Sequence, residues 1–147
     1  MKKRQSGVLM HISSLPGKYG IGSFGQSAYD FVDFLVRTKQ RYWQILPLGT
    51  TSYGDSPYQS FSAFAGNTYF IDFDILIEEG LLNEADVKGA DFGDDPRKVD
   101  YAKIFDARRP IMEKAVARFL KADDLSDYES FVEQNAAWLE VFAEYMA

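Results

Sequence analysis

Cysteine is absent from the sequence, and histidine occurs once, at position 11. Without cysteine there is no disulfide framework, thiol nucleophile or thiolate metal centre, and His11 alone cannot build a multi-histidine site. Positive charge is also scarce, with 16 Lys and Arg against 22 Asp and Glu and a net charge of -6. Such a balance argues against nucleic acid as partner, because phosphate binding rests on clustered basic residues. No apolar run approaches the roughly 18 residues that span a bilayer, which predicts no membrane association. Lys2-Lys3-Arg4 resembles a secretory basic region, but the apolar run Gly7 to Ile12 that follows is short and has no small-residue cleavage site behind it. A soluble, cytoplasmic protein is expected, in keeping with the missing cysteines. What the sequence does hold is apolar material, 46% of its 147 residues, with 16% aromatic. That is enough for one domain burying roughly 68 to 70% of its unfolded surface, and it excludes disorder and collagen.

Charge and glycine divide the chain at position 72. Residues 1–71 carry seven Lys/Arg against three Asp/Glu, a net of +4, whereas residues 72–147 carry nine against nineteen, a net of -10. Eight of the eleven glycines lie before position 72, so the first part reads as loop-rich and the second as acidic helix. The uninterrupted apolar run Gly7 to Ile12 predicts a strand buried on both faces, the pattern of parallel sheets. Ser23 followed by Gln26 reads as a capping box for a helix with Ala28, Phe31, Val32, Leu35 and Val36 at helical spacing, ending near Gln40. The apolar run Tyr42 to Pro47 then begins 35 residues after Gly7, the length of a strand-helix-strand unit with parallel strands.

Periodicity places four helical stretches in the second part: Phe73 to Glu79 stopped by Gly80, a short turn after Asn83, a long helix near Val99 to Leu120, and the region after Ser126. Asp72 or Asp74 is expected to cap the first of these. Pro110 is positioned to kink or restart the long helix. Ser126 with Glu129 reads as a second capping box, and Asn135 as the cap of a last helix carrying Trp138, Leu139, Phe142, Tyr145 and Met146. The usual C-terminal signals are missing near Ala147 while that apolar face is still running, so a longer polypeptide is expected.

Chemistry is expected in the segment Gly49 to Asn67, which follows the second strand at the carboxyl end where α/β folds bind ligands. It is rich in Gly, Ser and Thr and carries Tyr53, Asp55, Tyr58 and Gln59. Flat apolar faces mixed with short polar groups suit a ligand with C-H faces and many hydroxyls, such as a pyranose. The competing reading is a turn-rich loop whose aromatics plug the core and whose Asp55 closes an Asx-turn on its own backbone. His11 is expected to be a buried, hydrogen-bonded histidine. The acidic pairs Asp72/Asp74, Glu78/Glu79 and Asp94/Asp95 lack companions at ligand spacing, which argues against a metal site. Ser13 and Ser14 lack a G-x-S-x-G elbow and a triad arrangement, which argues against a serine hydrolase.

Three blocks of the sequence resemble the amino-terminal region of the 4-alpha-glucanotransferases, or amylomaltases. They are GVLMHISSLP from Gly7, YWQILPLGTTSYGDSPYQSFSAFAGN from Tyr42 and YFIDFDILIEEGLL from Tyr69; VDYAKIF from Val99 and WLEVFAEYMA from Trp138 are similar but less specific. The resemblance covers essentially the whole chain. It implies an α/β fold, the first two parallel strands of a (β/α)8 TIM barrel plus an α-helical insertion subdomain. Residues 1–71 would be the first βα units with the substrate loop, and residues 72–147 the acidic insertion. It further implies transfer of an α-1,4-glucan segment, through a covalent aspartate intermediate, to the 4-hydroxyl of an acceptor glucose or maltodextrin.

Such a retaining route needs a carboxylate nucleophile and a carboxylic acid roughly 5 to 5.5 Å apart. In the family both come from later strands, and a barrel needs about 250 residues, so no catalytic residue is assigned here and this chain alone is expected to be inactive. No cofactor is implied. What the resemblance carries over is a donor-side sugar contact in Ser56-Pro57-Tyr58, with Tyr58 the platform for a glucose ring and Asp55 its polar neighbour. Tyr53 and Tyr101 match tyrosines of an accessory glucan-binding surface. A non-catalytic α-glucan-binding or interaction module, and a finished small βα domain of unrelated activity, are the rival readings. Unpaired strand edges predict self-association, with Trp138, Phe142 and Met146 in a contact or partly exposed.

Overall fold

The computed structural model describes residues 4–147, so the basic Lys2-Lys3 pair lies outside the described residues. Strand β1 (Gly7–Leu9), helix α1 (Gln26–Arg37) and strand β2 (Tyr42–Gln44) form the expected unit, and the strands pair in parallel with Gly7 opposite Tyr42. Four helices follow: α2 (Phe73–Glu78), α3 (Glu84–Val87), α4 (Tyr101–Phe119) and α5 (Ser126–Met146).

The first strand is shorter and less covered than its sequence suggests. Pairing stops at Leu9, which is exposed, and Ile12–Ser14 turns as a 3-10 helix that buries Ile12. A two-stranded sheet is only about 10 Å wide at a strand spacing of roughly 4.8 Å, so it covers a single row of α1. Ala28 and Leu35 of that helix are buried and Phe31 packs edge-on against Trp43, but Val32 and Val36 stay exposed.

The apolar core is continuous across the charge boundary. One cluster joins Ile12, Leu15, Ile21, Ala28 and Phe70 to Ile104 of α4, and the second joins Phe73 and Leu82 to Ile111 and Ala115. Ile104, Arg108, Ile111 and Ala115 form one buried stripe at helical spacing. Pro110 lies on the opposite, exposed side, and α4 runs through it without a restart. A solvent-facing proline costs one backbone bond while the buried stripe stays intact. Arg108 is 2% exposed; its guanidinium lies 4.1 Å from the Phe73 ring centroid and Nη2 donates to the Ile71 carbonyl at 2.6 Å. Burial pulls its pKa down to about 10.

Three capping expectations fail. Ser23 is not the cap of α1, which starts after Gly25; its hydroxyl donates instead to Asp72. Asp72 is held by two further bonds, since its Oδ1 accepts from the amides of Asp74 and Ile75 and so caps α2 as expected. A Cβ on Gly25 would fall 2.1 Å from the Asp72 carboxylate, which is why the start of α1 can approach it only with glycine there. Ser126 is the first residue inside α5, not its cap, and takes a bond from its own amide to Asp124. Asn135 lies within α5, which is one continuous helix. A capping box that the sequence reading did not name forms at Asn83 and Asp86, at the start of the expected turn.

Candidate functional site

The Gly49 to Asn67 segment leaves β2 and returns beside it. Its base is closed by a bridge between Gly49 and Gly66 and by the Asn67 amide on the Leu48 carbonyl at 2.8 Å. Inside this Ω-like loop, short hydroxyl side chains replace regular structure. Ser60 Oγ donates to the Ser62 carbonyl at 2.7 Å, and Ser62 Oγ accepts from the amides of Phe64 (3.1 Å) and Ala65 (3.0 Å). That is the reason for its serine content: local side-chain acceptors satisfy amides that no ladder reaches. Ala65 alone is buried.

Two concavities flank the loop. A cavity of about 130 Å³ lies beneath it, lined by His11, Ser13, Asp55, Pro57, Asn67 and Tyr101 among others. An open groove of about 490 Å³ runs along the loop, lined by Pro47, Pro57, Tyr58, Ser60, Phe64 and neighbours. Pro57 belongs to both.

His11 is 9% exposed, its Nδ1 accepts from the Leu46 amide at 3.3 Å, and its ring meets Phe70 edge-on at 5.3 Å. An accepting Nδ1 leaves the proton on Nε2, and burial lowers the pKa below its ordinary value. The ring is therefore a neutral donor at the cavity wall. Tyr101 starts α4 against Tyr69, and burial with the nearby Asp55 charge raises the pKa of both phenols.

The candidate residues are placed as follows. Asp55 does not close an Asx-turn on its own backbone: its φ is +53°, after Gly54 at +93°, and its Oδ1 accepts from Thr51 Oγ1 at 3.4 Å. Tyr58 is 72% exposed, so it is no core plug, and Ser56 Oγ accepts from its amide at 3.4 Å. Asp55, Pro57 and Tyr101 share the cavity, while Pro57 and Tyr58 share the groove. Tyr53 is fully exposed and lines neither. Phe64, Thr51 and Asn67 are lining residues that pattern reading did not single out. For Phe64 the signal is an aromatic between two small residues, Ala63-Phe64-Ala65, which on its own resembles any turn. No group of three metal-ligating side chains is found among the described residues, nor does any helix there have the length and apolarity to cross a membrane.

A parallel βαβ unit with a hydroxyl-rich loop over a cavity of mixed lining after its second strand defines an α/β protein. Comparison with known proteins narrows the class. The family model for 4-alpha-glucanotransferase matches residues 10–147. The 4-alpha-glucanotransferase of Streptococcus pneumoniae is 76% identical over 147 residues, covering 100% of this chain and 29% of that protein. The Clostridium butyricum 4-alpha-glucanotransferase is 56% identical over 138 residues, 94% of this chain and 28% of that protein. Among solved structures, the amylomaltase from Streptococcus agalactiae in complex with acarbose superposes with a TM-score of 0.93 at 59% identity, covering 99% of this chain and 29% of that one. The chain belongs to the 4-alpha-glucanotransferase family. It spans under a third of the length of these relatives.

Proposed function

We propose that the polypeptide carrying this chain is a cytoplasmic 4-alpha-glucanotransferase that moves α-1,4-glucan segments to the 4-hydroxyl of an acceptor glucose or maltodextrin by a retaining double displacement. In this reading residues 1–71 supply the first βα units of a TIM barrel and residues 72–147 a helical insertion. Tyr58 with Ser56 and Pro57 contacts the donor sugar, Asp55 accepts from its hydroxyls, and Tyr53 and Tyr101 serve an accessory contact. The observation that carries the reading is the groove beside the loop: an exposed tyrosine and short hydroxyls line it after β2. A tyrosine face offers a pyranose its apolar side while the groove's serines reach the hydroxyl rim, with Asp55 in the adjoining cavity.

Chemistry needs two carboxyl groups across the scissile bond, and Asp55 is the one carboxylate lining either concavity among the described residues. This favours glucan binding without turnover as the second reading, for the chain taken alone. No cofactor enters either reading. The exposed strand residues Leu9 and Tyr42 support self-association of the isolated chain, which light scattering would report as more than a monomer.

The test is incubation of the intact polypeptide with maltotriose. Glucose together with longer maltodextrins is expected, and glucose and maltose without longer products would reject transfer in favour of hydrolysis. The isolated 147-residue chain is expected to bind maltodextrin without consuming it.

A further inference from the structure

Helix α5 buries no residue in the core, yet it is not unattached. Trp138, Phe142 and Tyr145 recur at i, i+4 and i+7 and so share one face. From that face the Trp138 indole stacks on Phe64 at 5.7 Å and 26°, and the Tyr145 ring meets Phe61 at 5.7 Å. Both phenylalanines belong to the Gly49 to Asn67 loop, so the helix grips the loop at two points.

The indole is itself fixed. Its Nε1 donates to Asn135 Oδ1 at 3.0 Å, and the Asn135 amide donates in turn to the Phe131 carbonyl at 2.8 Å. An asparagine inside a helix is a poor helix former, but here both ends of its amide are used to orient the ring. Phe64 remains 71% exposed with one face on Trp138, and it lines the same groove as Tyr58.

We infer that Phe64 is a second sugar platform of the groove, taking the C-H face of another pyranose in an α-1,4-glucan, and that Trp138, oriented by Asn135, is the positioning residue that holds it. This inference rests on the glucan reading of the groove. Trp138 lines neither concavity and acts through the loop. A loop that is competent only part of the time weakens apparent binding in proportion to that fraction, so loss of the grip raises KM and spares kcat.

The experiment measures maltotriose disproportionation by the intact polypeptide, and chymotrypsin nicking between residues 58 and 64, for wild type, Trp138→Ala, Trp138→Phe and Phe64→Ala. Trp138→Ala is expected to raise KM about fivefold or more, leave kcat within about twofold and speed nicking, while Trp138→Phe recovers KM and nicking in part, because an aromatic face still stacks but lacks the bond to Asn135. Combining Trp138→Ala with Phe64→Ala is expected to add little to KM, since both remove one interaction. Unchanged KM and nicking in Trp138→Ala, or fully additive KM effects in the double variant, would overturn the inference. Wild type without turnover would reject the transferase reading instead. The nicking arm then decides the grip by itself, unchanged nicking overturning it and faster nicking supporting it.

Discussion

Two regions of this chain use aromatic residues in opposite ways. Around the junction of α2 and α4, Phe73 is completely buried, Phe70 nearly so, and Tyr19 and Phe92 close over Phe73. In the loop and α5, Phe61, Phe64, Tyr58 and Tyr145 are each at least half exposed; Phe61 meets Tyr145 and Phe64 meets Trp138 ring to ring, while Tyr58 meets no other ring. The difference separates the rings that stabilise the fold from those whose apolar surface stays open. Fully burying a large apolar side chain is worth roughly 1.5 to 3 kcal/mol, whereas an exposed ring contributes little until a ligand covers it. The core region holds the fold, and the loop region keeps its apolar surface for something else.

The largest expected effect tests that division directly. Phe73→Ala should cost about 3 to 5 kcal/mol, since it leaves a cavity beneath Arg108 as well as losing the buried ring. Tyr58→Ala should stay within about 0.5 kcal/mol, as exposed positions do. Urea denaturation of the two variants is the measurement. Comparable losses in both would show that the loop is part of the cooperative core, and the contrast would dissolve.

A smaller effect sits at the seam. Asp72 caps α2, accepts the Ser23 hydroxyl and lies against the start of α1, and its charge supports the buried Arg108. Asp72→Ala should cost about 2 kcal/mol, combining a lost cap with an orphaned hydroxyl and a less well compensated guanidinium. Asp72→Asn keeps an acceptor oxygen and should recover about half of that. A loss below about 0.5 kcal/mol for the alanine variant, in the same urea assay, would mean that water replaces the carboxylate and that the seam is not specified by it.

The parallel unit was legible because Gly7 and Tyr42 each open an apolar run, and they turned out to be direct register partners. The α2 cap and the helical turn after Asn83 were legible because their signals are local. The capping failures have two causes: a distant partner overrode the local signal at Ser23, whereas partners within a few residues engage Asn135 and Ser126. Ser23 gave up its capping role to reach Asp72, 49 residues away, and Asn135 turned to its own helix and to Trp138. Burial of β1 and of all of α1's apolar face could not be read from periodicity, because the number of strands available to cover them is not a local property. In the candidate site the tyrosines were legible by type. Their sorting was not: Tyr101 joins Asp55 only through packing of α4 on the core, and Phe64 matters only because α5 lies beside it.

His11 belongs to both regions, in contact with Phe70 in the core and lining the cavity under the loop, and its titration gives the finest test. Burial lowers its pKa from 6.5, so the unfolded chain takes up the proton first as pH falls. Stability supplied by the neutral ring is thus complete above the unfolded pKa and lost as pH drops below it, the sign required when the unfolded state binds more protons. The window is clean. His11 is the single histidine, and the paired carboxylates Asp74, Asp86 and Asp91 are held below 3.8, with Asp86 at about 2 beside Arg118. Their contribution fades only in stronger acid. Asn at position 11 can keep an acceptor for the Leu46 amide without a titrating ring. The urea midpoint of wild type should therefore fall between pH 7 and about 5.5, by less than the Asp72 effect, while His11→Asn stays level. Equal midpoints for wild type at both values would show that the ring is as open to protons as an unfolded histidine. The cavity would then belong to solvent, and the boundary between the two regions would lie deeper than Phe70.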